Sequence, residues 1–97
     1  MNIQSYLKGF SAYLKLERSL AQNSIEAYTN DVAKLFQYLA AAGKNSSLKT
    51  ITLKDLREFI MWLNELGAQA STQARVISGI KSFFTYLLQE ELIQNDP

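Results

Sequence analysis

The 97-residue sequence predicts an all-α domain, a four-helix bundle of two helical hairpins packed across each other. Three observations carry this. Apolar residues recur three and four apart along the whole chain, and no segment alternates with period two, so no strand is expected. One Pro and four Gly leave room for long helices. Apolar residues make up 47% of the chain and aromatics 11%, enough to close one core, and the length suits one domain spanning residues 1–97 rather than two.

The first helix is expected over about 3–16, where Ile3, Tyr6, Leu7, Phe10, Tyr13 and Leu14 form one stripe. Leu16 and Leu20 are expected to tuck under the connection "ERSLAQ" that follows. The second helix, about 24–42, starts at "NSIE", which reads as a capping box with Asn23 as N-cap and Glu26 reaching back to it. Its stripe is Ile25, Tyr28, Val32, Leu35, Phe36 and Leu39, and Gly43 supplies the left-handed stop. "GKNSSLK" is polar and aperiodic and reads as the longest loop.

Thr52 caps the third helix, about 53–66, with Asp55 at the third helical position and Ile51 and Leu56 at the positions of a hydrophobic staple. Leu53, Leu56, Phe59, Ile60, Leu63 and Leu66 form its expected stripe, Gly67 ends it, and Trp62 is either a core-edge aromatic or a docking contact. Ser71 or Thr72 caps the last helix, about 72–90, whose stripe is Val76, Ile77, Ile80, Phe83, Phe84, Leu87 and Leu88.

Composition excludes several function classes. Without Cys or His there is no disulfide framework, thiolate chemistry, imidazole catalysis or conventional zinc site. The apolar runs are too short to span a bilayer, and "MNIQSYLKGF" lacks the layout of a secretory signal, so an intracellular, cytoplasmic domain is expected. Asp55 with Glu58, and Glu90 with Glu91, are read as solvated carboxylates. No phosphate loop, nucleophile elbow or metal motif appears, so no catalytic residue, cofactor or small-molecule ligand is assigned.

Ten basic against nine acidic residues give a net charge of +1, so only the placement of charge bears on nucleic acid. At about 100° per residue, the last helix projects Ser71, Arg75, Ser78, Gly79, Ser82, Thr85 and Gln89 opposite its stripe, with Lys81 on the flank. A solvated face usually mixes Glu with Lys. Hydroxyls, a glycine and an arginine instead suit close approach to a polyanion; the alternative is a helix-packing surface on which small residues permit close contact. The second helix makes a similar offer with Asn23, Ser24, Ala27, Asn30 and Lys34, although Glu26 opposes it.

"SLAQNSIEAYTNDVAKLFQYL" followed by "STQARVISGIKSFFTYLLQEELIQNDP" resembles the N-terminal core-binding domain of the tyrosine site-specific recombinases, the Xer and phage-integrase family. Order, spacing and the closing Asn-x-Pro carry the resemblance, which covers nearly the whole chain. It implies a SAM-like bundle that lays its second and fourth helices on double-stranded DNA while a separate C-terminal domain, absent here, holds the catalytic residues and closes around the duplex. No metal or nucleotide is implied. Other recombinase protomers in a synaptic tetramer are the implied protein partners, and Asn95-Asp96-Pro97 then reads as the start of an interdomain linker.

Carried onto this chain, the implied DNA-binding residues are Asn23, Ser24, Ala27, Asn30 and Lys34 on the second helix, and Ser71, Thr72, Arg75, Ser78, Lys81 and Ser82 on the fourth. Arg75 and Lys81 are expected to supply most of the phosphate attraction. Tyr6, Tyr13, Tyr28, Tyr38 and Tyr86 are read as packing residues. Two departures stand out: Thr29 and Asn30 occupy positions where the family commonly carries Arg, and Glu91 stands where a Gly often ends the fourth helix. The competing class is a helical protein-interaction module that uses the same small-residue face and Trp62.

Overall fold

The computed structural model of the chain describes residues 3–43 and 50–94. These form four helices, α1 (Ile3–Leu16), α2 (Gln22–Ala41), α3 (Leu53–Glu65) and α4 (Ala70–Gln89), with no strand among the described residues. The loop read from "GKNSSLK" falls mostly outside the described residues, as does Asn95-Asp96-Pro97.

The core begins with α1, which buries Leu7, Phe10, Tyr13 and Leu14 because these positions share one helix face. Phe10 meets Phe83 of α4 edge to face at 5.2 Å, and Tyr13 lies 5.5 Å from Tyr86. Such aromatic pairs add about 0.5–1.5 kcal/mol beyond the area they bury. From α2, Ile25, Val32, Leu35, Phe36 and Leu39 enter the same core, and Phe36 contacts Phe83 at 5.9 Å. Phe10 and Phe83 are both fully buried at this junction. Truncating either to Ala would cost about 3–5 kcal/mol.

A second aromatic group joins α3 to α2. Trp62 stacks on Phe59 at 6.0 Å and lies 5.1 Å from Tyr38. It is half-buried and packed against the core, so its role is that of a core-edge aromatic. The tyrosines behave likewise: Tyr13 and Tyr86 are buried, and Tyr6, Tyr28 and Tyr38 pack against the core from its margin.

Helix ends follow local chemistry, with corrections to the sequence reading. Thr52 caps α3 through a reciprocal capping box, Asp55 N–H donating to Thr52 Oγ1 at 3.2 Å and Thr52 N–H to Asp55 Oδ2 at 3.0 Å. The box predicted at "NSIE" is absent. α2 starts earlier, with Ala21 as N-cap and no side-chain cap. Asn23 lies inside the first turn and accepts from Ser24 N–H, while Glu26 accepts from Gln22. α4 also starts early, at an N-cap of Gln69 rather than Ser71 or Thr72. There Gln73 Nε2 donates to Ala68 O at 2.9 Å and to Asn64 Oδ1 at 3.1 Å, tying α4 to the turn after α3.

Several expected core leucines lie outside. Leu16 is 76% exposed, Leu66 65% and Leu53 47%, all three at or next to a helix end. Leu20 alone of the first connection packs against the core.

Candidate nucleic-acid interface

The polar side of the molecule is organised by the contact between α2 and α4. Asp31 is followed by Val32 and Leu35 on the buried side of α2, which draws its carboxylate inward, and its side chain retains 5% exposure. A buried carboxylate requires a charged partner or several donors. Arg75 provides both: Nε donates to Oδ2 and Nη2 to Oδ1, each at 2.9 Å. This two-pronged geometry is the one a guanidinium is shaped to make. The hydrogen bonds from Arg75 to Asp31 raise the guanidinium's pKa further, against a smaller opposing effect of burial.

One turn away on each helix, Tyr28 and Gly79 make the second part of this junction. A Cβ on Gly79 would lie 3.3 Å from Tyr28 Cδ1 and 3.7 Å from its Cα, so the glycine permits the close approach of the two backbones. Part of the small-residue face of α4 is therefore a packing surface. Gly79 and Ser82 are both buried in it, which leaves Ser82 only 9% exposed. The buried face of α4 is wider than the sequence reading because Gly79, Ser82 and Tyr86 extend it past the apolar stripe.

The remaining predicted residues stay accessible to different degrees. On α2, Asn23, Asn30 and Lys34 are exposed and Ser24 and Ala27 half-buried. On α4, Ser71, Arg75, Ser78 and Lys81 are exposed and Thr72 is half-buried. Helical neighbours three and four apart share a face, so Ala27 and Lys34 flank Asp31 while Ser71 and Ser78 flank Arg75. The ion pair thus joins the two polar arcs into one surface.

Lys81 stands apart from that centre. It shares the wall of an apolar groove between α3 and α4 with Ile77 and Thr85. The structure adds two facts to the expectation that Arg75 and Lys81 supply most of the attraction: Arg75 is paired with Asp31, and Lys81, on the flank of the face, lines the α3/α4 groove. Sequence reading missed Asp31 as the buried partner of Arg75. The available signal was its position, a carboxylate directly beside the apolar stripe of α2.

The surface can donate hydrogen bonds to phosphate oxygens from Ser71, Ser78, Asn30, Lys34 and the outward side of Arg75. Arg75 is 45% exposed at its side chain and uses only part of its donor set on Asp31.

Four helices without a strand among the described residues are the architecture of a SAM-like domain. Residues 7–91 match the family model for the phage integrase N-terminal SAM-like domain, and the chain belongs to that family. Relatives include the tyrosine recombinase XerD of Chlorobaculum tepidum, 37% identical over 94% of this chain and 29% of its own length. The tyrosine recombinase XerC of Herpetosiphon aurantiacus is 35% identical over 98% of this chain and 31% of its own. XerD of Vibrio cholerae is 32% identical over 97% of this chain and 30% of its own. The chain therefore spans about a third of the length of the curated relatives it matches. No solved structure matches it. Among the described residues no helix is long and apolar enough to cross a membrane.

Proposed function

We propose that this chain is the DNA-holding, non-catalytic domain of a tyrosine recombinase, laying the joined α2/α4 face on duplex DNA near the site of strand exchange. Its partners are double-stranded DNA and, in the whole recombinase, neighbouring protomers. Family membership gives the site-specific recombination setting. The observation that supports this particular face is the neutralisation of Asp31. The carboxylate at its centre is buried and doubly hydrogen-bonded by Arg75. A phosphate backbone approaching Asn30, Lys34, Ser71 and Ser78 then meets donors around a carboxylate that is already paired, with exposed Glu26 left as the opposing charge on α2.

With a net charge of +1, isolated affinity should be modest and salt-sensitive. The test is fluorescence anisotropy with labelled duplex over a salt series. Lys34→Ala should weaken binding and lower the magnitude of the log-log salt slope by about one. Asp31→Asn should act in the opposite direction, strengthening binding and steepening the slope, because it releases the full charge of Arg75 into the face. Binding and slopes unmoved by either substitution would reject the α2/α4 face.

A further inference from the structure

Between α3 and α4 runs an open groove of about 830 Å³, walled, among the described residues, by those two helices. Ile80 and Phe84 are buried at its base, whereas Met61, Leu53 and Ile77 stand in its walls with 62%, 47% and 39% of their surface exposed. Scattered exposed apolar side chains need no explanation, but several converging on one groove mark a binding surface. None of them lies on the face assigned above to DNA.

The charges around the groove select its occupant. Arg57 on α3 and Lys81 on α4 both line it, both are exposed, and among the described residues no carboxylate lines it with them. A groove with apolar walls and a cation on each side is complementary to an apolar stripe flanked by carboxylates. Two copies of this chain facing each other groove to groove would set Arg57 and Lys81 against their own counterparts, which like-charge repulsion disfavours. Duplex DNA satisfies the cations but offers nothing to Met61, Leu53 and Ile77. The length also fits: the 13 residues of α3 form a wall about 20 Å long, which matches three to four turns of a partner helix.

We propose that the α3/α4 groove docks an amphipathic helix of a separate protein, one that places Glu or Asp beside an apolar stripe. This site is independent of the DNA-binding reading and stands or falls without it. The apolar stripe fills the space between Met61 and Ile77 while its flanking carboxylates pair with Arg57 and Lys81.

The probe is a fluorescein-labelled synthetic helix of about four turns, with Leu at i, i+3, i+4 and i+7 and Glu at the flanking positions. A matched peptide carries Lys in place of each Glu, and both are titrated with the 97-residue chain. The Glu peptide should bind saturably and at least about tenfold more tightly than the Lys peptide. Arg57→Glu should shrink or reverse that preference. Met61→Asp should abolish binding while leaving helicity and duplex affinity unchanged, and Ile77→Asp provides a second disruption from the opposite wall. The proposal is overturned by failure of the Glu peptide to saturate, by equal affinity for the two peptides, or by binding that survives both Asp substitutions. A dimer of the chain that Met61→Asp disperses would also overturn it, because a second copy would then be the occupant.

Discussion

Arg75 holds Asp31 across the α2/α4 junction through two hydrogen bonds of 2.9 Å, yet the carboxylate side chain is 5% exposed and the guanidinium 45%. Removing either end therefore has an unequal effect. Arg75→Ala strands a buried carboxylate and should cost about 2–4 kcal/mol, towards the range for breaking a buried pair. Asp31→Ala leaves a cation that turns into water and should cost about 1–2 kcal/mol. Urea denaturation of the two variants checks the order, and an Asp31→Ala protein less stable than Arg75→Ala would contradict it. A loss of DNA affinity in Arg75→Ala has meaning only beside this stability measurement.

The hydroxyl of Tyr86 occupies the space that a Cβ on Gly9 would need, and the ring atom behind it would lie 3.1 Å from that Cβ. Tyr86 has little room to retreat, since Phe10, Tyr13 and Phe83 bracket its ring at 6.0, 5.5 and 6.4 Å. Gly9→Ala gains about 1 kcal/mol of helix propensity. Overpacking outweighs that gain, so a net loss of about 1–2 kcal/mol is expected. In a Tyr86→Phe background the main obstruction is gone and Gly9→Ala should become nearly neutral. Denaturation of all four proteins in a double-mutant cycle measures the coupling.

Tyr86 also predicts an alkaline limit. Burial raises its phenol above the ordinary value of 10.0, and the charges of Glu90 and Tyr6 add to the effect. As pH rises past 10.0 the unfolded chain ionises this phenol first. The stabilisation is therefore complete below that pH and is lost progressively as pH climbs through the higher folded-state value. Tyr86→Phe should flatten this part of the pH dependence. Unfolding midpoints of both proteins at neutral pH and at about one unit above the phenol's ordinary value test it.

Periodicity made the helices legible, because burial of Leu7, Phe10, Leu35, Phe59 and Phe83 depends mainly on which residues share a face. Caps were legible only where side chain and backbone agree. Thr52 and Asp55 form their box, but Asn23 is bypassed because α2 begins at Gln22 without a side-chain cap. The polar set proposed to face DNA was only partly legible. Whether Ser82 faces water and whether Arg75 is free depend on where α4 crosses α2, and sequence spacing within one helix carries no information about its neighbour. Asp31 illustrates the point: beside an apolar stripe it marks either a surface charge or the buried half of a pair, and only the position of Arg75 decides.

Gly67 and Glu91 occupy equivalent places in two matching helix endings, and the difference between them predicts a stabilising substitution. After α3, Gly67 N–H donates to Asn64 O at 3.0 Å and Ala68 N–H to Leu63 O at 3.1 Å. After α4, Glu91 N–H donates to Leu88 O at 3.1 Å and Leu92 N–H to Leu87 O at 2.9 Å. Both patterns are Schellman endings, which require a left-handed residue at their centre. Gly67 takes φ +90° at no steric cost, whereas Glu91 adopts φ 57° with a Cβ that crowds the following carbonyl. The ending persists in α4 because Leu92 and Ile93 pack against the core immediately after it, which offsets the strain. Glu91→Gly keeps both hydrogen bonds and removes the strain, with some loss to the greater freedom of glycine when unfolded. A net gain of about 0.5–1 kcal/mol is expected. Glu91→Ala removes the carboxylate and retains the Cβ, so it should gain little. Equal stabilisation by Gly and Ala in urea denaturation would show that charge near the end of α4, rather than backbone strain, sets the effect.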